Sequence, residues 1–351
     1  MGAPARILGF DFLRGILAIG VMVYHYLAWS KTANLYNLGT YGVYAFFVLS
    51  GASMYVAYAA RMDRLHDLVP YLVNRIFRIF PLLLAIGIVV PLLRWLARLA
   101  SGRSVSLDVP LSTILGSLPT FGVTQPGAVG IATGAWSLGI EFVFYAIFPL
   151  LLAVFRSGWG AALVCSLVFL VAQVAFVNMV LAQGTFSENW VSYTQYGSFG
   201  FYFAFGMLIG KYVDAGGASP GKTGVIFLFV SGLAVLAMSS GATRTDALTG
   251  FTGISLLVLV CCVTAVSAYL PLVGAWARIA HTLGVLSYPV YLLHPVVWHV
   301  VGKRDAFGMV TAGVATFALS WLSWRLLEQP AIRLGKRLNL RLSAPMRSEP
   351  V

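Results

Sequence analysis

The apolar stretch from Ile7 to Trp29 contains three side chains that a lipid-facing helix does not need, Asp11, Arg14 and His25. An ionised residue near the bilayer centre costs about 2.5–3.5 kcal/mol on insertion scales, so such residues are functional candidates. Arg14 and His25 differ by only about 20° around a helix and by about 16 Å along it, so they share one face. One end of that face offers a permanent cation to an anion. The other offers an imidazole for proton transfer. Asp11 lies one turn below Arg14, where opposite charges offset each other's burial. It is about 21 Å along the helix from His25, too far to orient the imidazole, and is expected to brace Arg14.

Three further groups carry chemistry. Arg75 and Arg78, in Arg75-Ile76-Phe77-Arg78, present two guanidinium forks at i, i+3, an arrangement suited to phosphate. A cytoplasmic anchor of positive charge is the alternative for that pair. Glu141 and His294 lie inside other apolar stretches, where an unpaired polar group is costly. Tyr145, one turn after Glu141, can hydrogen-bond it or a substrate. His66, His281 and His299 fall in a loop or near helix ends and read as solvated or interfacial.

These residues must be positioned by membrane-spanning helices. The 351-residue chain is 59% hydrophobic and 10% charged, with a mean hydropathy of +0.87. A soluble domain carries about 25% charged residues. The segments long enough to span run over 7–29, 40–60, 79–99, 134–155, 160–181, 196–214, 223–240, 247–269, 281–301 and 307–328. The expected fold is an all-α bundle of about ten transmembrane helices. The net charge of +12 does not indicate nucleic acid, because the basic residues fall between apolar segments and in the tail. With the N-terminus inside, 15 Lys and Arg lie on the inner side against 7 on the outer, which predicts cytoplasmic termini. The long connection over 100–133 then faces outward as an acceptor entrance or a plain linker. Residues 1–334 form the transmembrane domain, and 335–351 a short basic tail against the anionic inner leaflet. Cys165, Cys261 and Cys262 lie in apolar runs with no disulfide or metal-ligand spacing, and no metal is expected.

Topology allows depths to be compared. His25, Glu141 and His294 all fall in the outer half, each about seven residues or fewer from an outer helix end. Arg14, Arg75, Arg78, Asp11 and Glu328 fall toward the inner face. Depth makes Glu141 the first candidate for an acidic partner of His25.

The chain resembles the membrane-bound acyltransferase 3 family of bacterial polytopic carbohydrate O-acyltransferases. The resemblance rests on Phe10-Asp11-Phe12-Leu13-Arg14-Gly15 with His25, on Phe46-Phe47-Val48-Leu49-Ser50-Gly51, and on Arg75-Ile76-Phe77-Arg78. It continues through Trp136-Ser137-Leu138-Gly139-Ile140-Glu141-Phe142 with Tyr145, Ser287-Tyr288-Pro289-Val290-Tyr291-Leu292-Leu293-His294 and Glu328-Gln329-Pro330. It implies a multi-pass protein of the bacterial inner membrane that transfers an acyl group, usually acetyl, from cytoplasmic acyl-CoA to a carbohydrate hydroxyl. It marks Arg14 and His25 as essential and Arg75 with Arg78 as donor-binding. Some members carry an extracytoplasmic hydrolase-like domain, so a chain ending at Val351 is expected to act alone or with a separate extracytoplasmic partner enzyme.

On this basis His25 is the general base or a transient acyl carrier, with Glu141 and His294 beside it in catalysis. Asp11, Arg14, Arg75 and Arg78 hold the donor acetyl-CoA, and Trp136, Ser137, Tyr145 and Tyr291 line the site of a glycan that is free or lipid-linked. The competing expectation is a polytopic transporter, or an acyl translocator that passes the group to another enzyme. The lack of two related halves in the sequence weighs against a carrier.

Overall fold

The computed structural model describes residues 6–33, 38–102, 134–181, 188–219, 251–301 and 305–342, with a few single positions between 221 and 248. Every regular element among them is helical. We number the main helices α1 (Leu8–Ser30), α2 (Leu38–Tyr58), α3 (Leu68–Ala100), α4 (Ala135–Arg156) and α5 (Trp159–Phe176). They are followed by α6 (Gly200–Asp214), α7 (Phe251–Ser267), α8 (Gly274–Val301), α9 (Ala306–Ser323) and α10 (Gln329–Leu342). Seven described helical stretches are long and apolar enough to cross a membrane. Of the expected segments, 196–214 and 247–269 appear as the shorter helices α6 and α7, while 223–240 lies almost wholly outside the described residues, as does the connection over 100–133. The chain is a multi-pass helical membrane protein.

Two helices extend well beyond the apolar segments read from sequence. The third begins at Leu68 rather than near residue 79, so Arg75 and Arg78 are on the helix itself. Pro70 sits in its first turn, where a missing N–H leaves no bond unmade. Pro81 and Pro91 lie within it and do not end it. Its 33 residues span about 50 Å, more than the ~30 Å hydrocarbon core, so part of the helix must reach the polar interface. At the other end of the chain, α9 runs through a π turn at Trp324–Glu328 into α10. The last helix crosses residue 335, where sequence places the start of the tail, and packs on α3. There Asn339 Nδ2 donates to Pro70 O at 3.2 Å and to Asn74 Oδ1 at 3.1 Å.

Small residues set which helices touch. Gly206 on α6 faces the Val48 carbonyl of α2, and Gly51 on α2 faces the Phe203 carbonyl of α6; a Cβ at either would lie 2.0–2.1 Å from that oxygen. This explains Gly51 within an otherwise bulky run. The same device joins α1 to α8. A Cβ on Gly15 would lie 2.4 Å from the Leu283 Cβ, and one on Gly284 would lie 2.5 Å from the Asp11 Cβ. Backbones that approach this closely gain dispersion contacts that lipid does not supply.

Candidate active site

His25 sits near the end of α1, which stops at Lys31 in a left-handed conformation (φ 61°). His294 sits in α8 and is fully buried. The two imidazoles are directly hydrogen-bonded, His25 Nδ1 to His294 Nε2 at 2.9 Å, with near-parallel rings at 5.1 Å between centroids. His294 Nδ1 lies 3.1 Å from the Val290 carbonyl oxygen one turn earlier. Pro289 and Pro295 interrupt the backbone ladder of this helix on either side. The backbone of His294 is fixed in turn: Tyr26 Oη donates to its carbonyl at 3.1 Å and pairs with Thr316 Oγ1 of α9 at 2.8 Å. Trp29 stacks on His25 at 4.8 Å with 12° between planes, which holds the imidazole ring.

At the other end of α1, Arg14 forms the expected ion pair with Asp11, Nη1 to Oδ1 at 3.2 Å. Its Nη2 donates to Ser53 Oγ of α2 at 2.8 Å. Asp11 also pairs with Arg6. Arg14 lies within electrostatic reach of Arg78, Tyr145 and Glu141. Arg75 donates from Nη2 to Tyr58 Oη at 3.0 Å and lies over the rings of Tyr58 and Tyr145, at 5.2 and 5.3 Å. Its Nε is buried with no hydrogen-bond partner among the described residues. Arg78 is within reach of Tyr288 and Glu328. The buried Glu328 carboxylate accepts from Ser323 Oγ at 3.0 Å across the π turn.

Glu141 connects to this second cluster. Its carboxylate accepts from Tyr145 Oη, as i, i+4 spacing suggests, and from Ser50 Oγ at 2.8 Å. The residue bonded to His25 is therefore the other candidate of similar depth, His294. Between the two groups lies a third. Ser137 Oγ and Tyr291 Oη are 3.0 Å apart, and both reach the carbonyl of Gly134, at 2.9 and 3.2 Å. Gly134 has φ 102°, and a Cβ there would lie 2.9 Å from the Tyr291 hydroxyl, so glycine is required on both counts. Tyr291 is also an edge-on neighbour of His294, at 6.2 Å between centroids. Trp136 is 8% exposed and packed against Trp190, Tyr193 and Phe199, so its rings form an aromatic wall.

Several residues at these clusters have no role that the sequence assigns: Trp29, Tyr26, Thr316, Ser53 and Tyr58, together with Ser50, which the resemblance includes only as part of a motif. Trp29 carried a signal, since it lies at i+4 from His25. The others meet their partners across helices, where spacing is silent.

The chain is thus a multi-pass bundle that holds a pair of hydrogen-bonded histidines at one level and a set of guanidiniums at another. Residues 7–325 match a family described as an acyltransferase domain, so the chain belongs to the acyltransferase 3 family. It is also similar to the "Exopolysaccharide production protein ExoZ" of Rhizobium meliloti (strain 1021), at 27% identity over 339 residues, covering 90% of this chain and 96% of the relative. No solved structure matches the chain significantly.

Proposed function

We propose that this chain is an O-acyltransferase of the bacterial inner membrane. It moves an acyl group, acetyl in the simplest case, from cytoplasmic acyl-CoA to a hydroxyl of a cell-surface or secreted polysaccharide. The observation that carries this reading is the 2.9 Å contact between His25 and His294, made by the helix that also carries Arg14. The likeness to an exopolysaccharide production protein supports a polysaccharide acceptor.

The donor's phosphates are met by Arg75 and Arg78, with Arg14 deeper along α1. The unpartnered Nε of Arg75 supports this role, because a buried N–H without an acceptor is satisfied by an incoming phosphate oxygen. The long pantetheine arm spans the ~16 Å from Arg14 toward His25. There the neutral imidazole removes the proton of the acceptor hydroxyl as its oxygen attacks the thioester carbonyl. The carbon–sulfur bond breaks, and the leaving thiolate takes the proton back from His25. Ser137 and Tyr291, adjacent hydroxyls beside His294, contact the acceptor or the developing oxyanion. Glu141, held by Ser50 and Tyr145, keeps the guanidinium cluster balanced in charge.

Mass spectrometry of envelope and secreted glycans, from cells with and without the protein, tests the reading. Loss of one acyl substituent, restored by the wild-type chain and not by His25→Ala, is expected. Unchanged glycan acylation would overturn it.

A further inference from the structure

We propose that His294 is a positioning residue, which holds His25 in a single neutral tautomer and leaves His25 Nε2 as the basic atom. The inference rests on the acyl-transfer reading for its consequence, and on hydrogen-bond polarity alone for the tautomer. A carbonyl oxygen only accepts, so the 3.1 Å contact with Val290 requires the proton on His294 Nδ1. A neutral imidazole has one N–H, so His294 Nε2 presents its lone pair. That lone pair faces His25 Nδ1 at 2.9 Å, which must then donate. The lone pair of His25 is thereby confined to Nε2, on the side of the ring away from His294. In the reverse assignment His294 Nδ1 and the Val290 oxygen would face each other as two acceptors, and His25 Nε2 would carry a proton and be unable to take another.

The surroundings hold this chain of atoms in place. The peptide of His294 is tied through its carbonyl to Tyr26, which receives the Thr316 hydroxyl proton. The His25 ring is kept in plane by Trp29. Neither histidine needs a carboxylate. Backbone carbonyl, imidazole and imidazole supply the polarity that an acid, an imidazole and a nucleophile supply in hydrolytic triads.

Two measurements on the full chain in lipid nanodiscs test the proposal. Nitrogen NMR of 15N-histidine-labelled wild-type protein, with resonances assigned by single substitutions, is expected to report Nδ1–H tautomers for both His25 and His294. An Nε2–H tautomer at His25 would overturn the proposal. This readout does not depend on activity: a wild-type chain with the expected tautomers and no acyl transfer would refute the functional reading and leave the tautomer standing.

The second measurement is kinetic. In His294→Gln the side-chain amide can donate to Val290 and accept from His25, preserving the polarity. His294→Leu can do neither. The glutamine variant is expected to keep kcat within about tenfold of wild type. The leucine variant is expected to lose about 100-fold in kcat with KM for acetyl-CoA changed by less than about threefold, at the lower end of what a general base contributes. Equal losses in the two variants, or a loss confined to KM, would contradict a positioning role.

Discussion

Gly284 lies directly against Asp11, so that a Cβ on the glycine would stand 2.5 Å from the Cβ of the aspartate. This contact seats α8 on α1, and the register it sets brings His294 to His25 further along the same pair of helices. Packing at one level of the bundle is thus coupled to the histidine contact at another. Gly284→Ala is expected to force the helices apart at a cost of about 1–3 kcal/mol, as overpacked cores do. Acyl transfer should fall at least tenfold as the histidine contact opens. Gly20→Ala provides the control on α1, because nothing lies within 4 Å of its Cβ. That variant should match or slightly exceed wild-type thermal stability and keep full activity. The check is Tm by fluorescence-detected unfolding beside the transfer rate.

Arg14 uses two separate nitrogens, one on Asp11 and one on Ser53. Lysine concentrates its charge at one point and cannot span both partners. Arg14→Lys is therefore expected to behave as a disruptive change, with most activity lost. Asp11→Asn removes the carboxylate from a buried pair and should destabilise by about 3 kcal/mol. Unfolding measurements on the two variants check this, and a neutral Asp11→Asn would show that the Ser53 hydroxyl and the remaining amide suffice to hold Arg14.

For the donor, Arg75→Ala and Arg78→Ala are each expected to raise the Kd for acyl-CoA about tenfold or more, equivalent to about 1.4 kcal/mol. Isothermal titration with coenzyme A is the measurement. Tyr58→Phe, which deprives Arg75 Nη2 of its hydroxyl partner, should produce a smaller change in the same direction. Unchanged affinity in both arginine variants would restrict the pair to membrane anchoring.

Much of this site was legible in the sequence, for reasons of local geometry. Asp11 with Arg14 and Glu141 with Tyr145 are i, i+3 and i, i+4 neighbours, and both pairs form. Counting residues from the span ends places Glu141 and His294 both at the level of His25; in the structure only His294 lies there, while Glu141 sits with Ser50 and Tyr145 beside the Arg14 and Arg75 cluster. Span ends are therefore not a common depth mark, and the register that brings His294 to His25 is set where Gly15 and Gly284, glycines far apart in the chain, let α8 close on α1. The Asn74, Arg75 and Arg78 side chains lower the local hydropathy, so the apolar run that marks the third span begins after them. In the structure the helix continues through, because Tyr58 and Tyr145 cover the Arg75 guanidinium.

The most direct test of the account is single-turnover transfer of radiolabelled acetyl from acetyl-CoA to purified exopolysaccharide by the purified chain, comparing wild type with His25→Ala under saturating donor. Label on the polysaccharide is expected with wild type and a rate at least about 100-fold lower with His25→Ala, while coenzyme A binding by the variant is retained. Transfer at a near-normal rate by His25→Ala would contradict it.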